Sequence, residues 1–146
     1  MTMTVDSAKK ILNIAAVIHM IGGVLMIVIG ILGLSGTAAA FVAPEIADSM
    51  AEAGPMAAGV IMALSAITLL VGFLAAVEGV LDRRAAKDPE KVMPVWYLSI
   101  VLLVINVTGL GLSAVTGTLG IGTIIELLFT GLVFQAAGFM KKELGK

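Results

Sequence analysis

The nine Lys and Arg residues of this 146-residue chain fall into three clusters: Lys9 with Lys10; Arg83, Arg84, Lys87 and Lys91; and Lys141, Lys142 and Lys146. Between the clusters lie long apolar stretches. Apolar residues make up 60% of the chain and charged residues 13%, against roughly 45–50% and about 25% in a soluble domain. Lipid is therefore the solvent for most of its length. Membrane insertion retains Lys and Arg on the cytoplasmic side of short loops. Three basic clusters separated by two pairs of spans thus predict both termini and the middle loop inside. The expected fold class is all-α: an integral membrane four-helix bundle of two helical hairpins, N-in and C-in. A chain of this length forms one domain over 1–146, in a membrane expected to be the bacterial cytoplasmic membrane.

The first span is expected over 11–34, about 36 Å long at roughly 1.5 Å per residue and sufficient to cross with some tilt. A basic start followed by an apolar run also resembles a signal peptide, but this run exceeds the usual apolar core of about 7–15 residues. It reads as a retained span. The outer loop follows, with Glu45, Asp48 and Glu52 and no basic residue. Pro44 and Glu45 suit a helix start, which predicts a short amphipathic surface helix over about 44–53. Further spans are expected over 56–81, 95–115 and 121–140. The middle loop is expected from Asp82 to Pro94, with Trp96 and Tyr97 at interfacial depth beyond it.

A faint internal repeat links the two hairpins. Leu32-Gly33-Leu34-Ser35 recurs as Leu110-Gly111-Leu112-Ser113, and Phe73-Leu74-Ala75-Ala76 has its counterpart in Phe134-Gln135-Ala136-Ala137. A parallel duplication would give this order, and so would the ordinary abundance of Leu, Gly and Ala in spans. Small residues let helix backbones approach where lipid provides no drive to associate. The faces expected to turn inward are His19, Gly23, Met26, Gly30 and Gly33; Thr68, Gly72 and Ala76; Ser99, Asn106 and Ser113; and Thr123, Glu126 and Thr130.

The candidate intramembrane polar site comprises Glu126, His19, Asn106, Thr130 and Ser65. Glu126 lies about 22 Å from Lys141 along the fourth span, and no Lys or Arg occurs within any expected span to pair with it. Such a carboxyl group holds a proton, bonds across helices or faces water. Ser65 and Thr108 fall at a similar depth. His19, Asn106 and Thr130 share a level near the midplane. One histidine and one carboxylate about 9 Å apart in depth supply too few donors for a metal, which takes three or four. No metal and no cofactor are expected. Glu78 reads as interfacial, with Asp82 one turn away. The primary role of Lys9, Lys10, Arg83, Arg84, Lys87, Lys91, Lys141 and Lys142 is to set orientation.

The passage from Glu78 through Gly79, Val80, Leu81, Asp82, Arg83 and Arg84 to Lys87, Asp88, Pro89, Glu90 and Lys91 resembles the middle of small uncharacterised four-span bacterial membrane proteins. That resemblance covers the span order and this loop, and it implies no activity. Small multidrug exporters also have four spans and a membrane carboxylate, but theirs lies in the first span and Glu126 in the fourth. Claudin-like and tetraspanin-like outer loops depend on cysteines, and this chain has none, which also excludes disulfides and thiolate chemistry. The net charge is −1, and nucleic-acid binding is not suggested. Without a nucleophile and base pair or a phosphate loop, the chain is not expected to be an enzyme. The reading favoured is a non-catalytic binding, accessory or scaffolding component whose partners are membrane lipid, a second copy or another membrane protein. The alternative is a small proton- or cation-coupled transporter using Glu126.

Overall fold

The computed structural model describes residues 3–35, 54–116 and 120–145, except for the side chains at 54–57, 112, 113, 116 and 123. It is all-helical there. α1 spans Val5–Leu34, α2 Gly54–Lys87, α3 Val92–Thr116 and α4 Ile121–Glu143, with a 3-10 turn at Pro89–Lys91 between α2 and α3. All four helices are long and apolar enough to cross a membrane, so the chain is an integral membrane protein by length and composition. The surface helix expected over about 44–53 lies outside the described residues.

All four helices run past their expected spans, α1 and α2 the furthest, and local chemistry explains these two. α1 begins ahead of its basic pair because Thr4 and Ser7 cap it reciprocally. Ser7 N donates to Thr4 Oγ1 at 3.2 Å and Thr4 N to Ser7 Oγ at 2.7 Å, a capping-box arrangement, with Asp6 favourably placed in the first turn. α2 continues through Asp82, Arg83 and Arg84 to Lys87, because charge does not break a helix and cations suit its C-terminal end. Pro89 ends the helical run. Asp88 caps the 3-10 turn by accepting from Glu90 N at 3.2 Å, and it pairs with Lys91 Nζ at 3.1 Å. The loop expected from Asp82 to Pro94 thus contracts to a few residues.

Contacts divide the chain into two compact units: Met1–Ile18 with Glu78–Lys146, and His19–Val77. In the first unit, all four helices contribute to one apolar core. Ala8, Leu12 and Ala15 come from α1, Ala85 from α2, Val92 and Val95 from α3, and Val133, Ala136, Ala137 and Met140 from α4. Trp96 stands at its edge, stacked on Phe134 at 6.3 Å between ring centroids, with Lys141 Nζ 3.4 Å from its own ring centroid. Burial is concentrated at this end of α3 and α4. Val104, Ile105 and Val107 of α3, and Ile121, Ile125 and Leu128 of α4, are exposed.

The second unit is an antiparallel pair held by close backbone approach. A methyl group placed on Gly23 would sit 2.6 Å from Ala76 N, and one on Gly30 would sit 2.8 Å from Leu69 Cα. On Gly72 it would lie 2.8 Å from Ile27 N, and Gly33 rests on the Ser65 side chain. Glycine is required here because the facing backbone occupies the space a Cβ needs. The second hairpin lacks this device: Gly109, Gly111, Gly122 and Gly131 have nothing within 4 Å of such a methyl. The repeated Leu-Gly-Leu-Ser segments therefore do different work, since Gly33 is in tight contact and Gly111 is not.

Candidate functional site

Helix α2 carries Glu78, Asp82 and Ala85 at positions i, i+4 and i+7, which share one face. Ala85 belongs to the apolar core of the first unit, and the same face takes both acids inward. Glu78 is 2% exposed and Asp82 0%. Glu78, expected near the inner interface, is thus enclosed by protein. The reason lies in the helix continuing beyond Leu81: the additional turns bring Asp82 and Ala85 onto the packed face instead of releasing them into a loop. The neighbouring Arg83 and Arg84 are exposed.

The buried polar or charged side chains among the described residues are Glu78, Asp82, Ser99 and Thr130, and none of these is cationic. Ser99 Oγ donates to the Trp96 carbonyl at 3.0 Å, so its hydroxyl is satisfied within α3. The acids are the chemically distinctive members. A carboxylate oxygen of Glu78 lies within 4.8 Å of one of Asp82. Two buried carboxyl groups this close cannot both carry a full charge cheaply. A proton or a bound cation removes that cost, and the pair is suited to holding one.

Helix α1 contributes a titratable group on a matching stripe. Ala8, Leu12 and Ala15 are buried at helical spacing, and His19 continues the row one turn beyond Ala15 in the same unbroken helix. His19 is half-buried. The signal available in the sequence for the buried acids was the 78, 82, 85 spacing on α2.

The sequence candidates separate. Asn106 Nδ2 donates to Thr130 Oγ1 at 2.9 Å, joining α3 to α4. Thr108 Oγ1 instead donates to the Val104 carbonyl of its own helix at 2.8 Å. Ser65 is half-buried beneath Gly33. Glu126 is exposed, although it shares a helical face with buried Thr130. Its turn of α4 lies beyond the packed end, where Ile121, Ile124, Ile125 and Leu128 are exposed as well. The inward face expected for Thr123, Glu126 and Thr130 is therefore inward at Thr130 and not at Glu126. A groove lined by Leu103, Leu128, Phe129, Leu132 and Gln135 is apolar apart from one amide, so it offers no acid or base. No protein-family model, curated protein or solved structure matches the chain.

Proposed function

We propose that this chain is a non-catalytic membrane-embedded binding component, and that the group it binds is a cation, proton or metal, held at Glu78 and Asp82. The observation that carries the reading is the burial of two carboxyl groups one helical turn apart on the face of α2 that lines the apolar core. Ionisable groups within membrane segments are costly and mark sites of ion or proton handling. Transport through Glu126 has less support, because that carboxyl is exposed.

Infrared difference spectra of the purified full chain, recorded on acidification and on cation addition, test this reading. The expected result is a carboxyl band that responds to either treatment and disappears in Glu78→Gln and Asp82→Asn. Spectra of the double variant that superimpose on the wild type refute it.

A further inference from the structure

We infer that the groove between α3 and α4 holds an acyl chain of one anionic phospholipid, whose phosphate is received by Lys141 and Lys142. The groove measures about 720 Å3 and is lined by these two helices alone, with Leu103 from α3 and Leu128, Gly131, Leu132 and Gln135 among its residues from α4. All of them belong to the first compact unit. The volume falls within the roughly 300–1,000 Å3 of small-molecule sites. The site shares no residue with the acidic pair, so the two readings stand or fall separately.

One face of α4 explains the opening. Gly131 and Gly138 lie two helical turns apart on that face. At Gly138 the crevice is filled by Trp96, since a methyl there would sit 3.6 Å from the indole Nε1. At Gly131 a methyl would meet no atom of the described residues within 4 Å. Leu103, two turns beyond Trp96 on α3, borders the opening without filling it. A flexible hydrocarbon chain fills such a space without asking for a polar partner.

Charge complementarity selects the headgroup. Leu128, Leu132, Gln135, Phe139 and Lys142 follow one another at helical spacing as one stripe of α4. The stripe leads from the apolar groove, past the Gln135 amide, to the exposed Lys142 about 10 Å further along the helix. Lys141 adds a second ammonium, held 3.4 Å from the Trp96 ring centroid, against the one acid Glu143 in this last turn. Basic residues at the mouth of a crevice between membrane helices suit an anionic lipid headgroup. The Gln135 amide N–H donates to a glycerol ester carbonyl, between the phosphate and the chain.

Native mass spectrometry of the full chain in detergent tests the site, with phosphatidylglycerol, phosphatidylcholine of the same acyl chains and inorganic phosphate as probes. The expected result is one phosphatidylglycerol per chain, bound more tightly than phosphatidylcholine, and no retained phosphate. Lys141→Gln and Lys142→Gln each weaken phosphatidylglycerol binding by about fivefold, the worth of one basic residue beside anionic lipid. Together they remove its advantage over phosphatidylcholine. Gly131→Leu fills the opening and weakens both lipids, whereas Lys10→Gln on α1 changes neither. Circular dichroism confirms that each variant is folded, and Leu103→Phe fills the opening from α3 if Gly131→Leu is not.

Equal binding of the two lipids by the wild type, or undiminished binding by a folded groove-filling variant, overturns the inference. Retention of inorganic phosphate in place of lipid overturns it in favour of a free-anion site. A dimer that crosslinks through Gln135→Cys overturns it as well, because a second copy then covers the groove.

Discussion

Asn106 of α3 donates a 2.9 Å hydrogen bond to Thr130 of α4, a side-chain link that ties these two helices near the limit of their packed region. Thr130 is 4% exposed. In membrane bundles such bonds average about 0.6 kcal/mol and reach about 1.7 kcal/mol by double-mutant cycles. Asn106→Ala, Thr130→Val and the double variant are therefore expected to give a coupling energy within that range, read from unfolding in mixed detergents. A coupling of zero places the two side chains apart.

The glycines give a test with opposite signs. Gly72→Ala sets a methyl 2.8 Å from Ile27 N, a backbone atom that cannot swing aside. Overpacking of this kind costs about 1–3 kcal/mol. Gly109→Ala meets nothing within 4 Å, and relief of glycine's conformational freedom makes it neutral to stabilising by up to about 1 kcal/mol. Melting of the two variants in parallel should move the midpoint down for the first and not for the second.

Much of the fold was legible because its determinants are local. Lengths of apolar sequence located all four helices, and the Gly23, Gly30, Gly33 and Gly72 stripes marked faces that are closely packed. Helix ends were read less well, since Asp82 and Arg83 look like a stop to hydropathy but not to backbone hydrogen bonding. That error concealed the site. Glu78 and Asp82 were placed one turn apart but at an interface, and an end at Leu81 leaves out Ala85, the core residue that shares their buried face. Glu126 attracted attention for the converse reason. Its depth was counted along one helix, whereas exposure depends on where neighbouring helices stop covering it.

From the basic clusters and the insertion rule that holds Lys and Arg on the cytoplasmic side, we propose that the connection between α2 and α3 faces the cytoplasm. Lys87 is exposed at the end of α2, and the chain has no cysteine of its own. Lys87→Cys is expected to resist a membrane-impermeant maleimide in intact cells and to react in inverted vesicles. Labelling in intact cells reverses the assigned sidedness.

The most direct test of the account is the accessibility of the acidic pair itself. Single cysteines at 78, 82, 83 and 84 are introduced into the cysteine-free chain, and the detergent-purified protein is exposed to a water-soluble maleimide. Glu78 and Asp82 are buried while Arg83 and Arg84 are exposed. Cysteines at 83 and 84 should label rapidly, and those at 78 and 82 only after denaturation. Labelling of 78 and 82 at the rate of their neighbours would contradict the buried site.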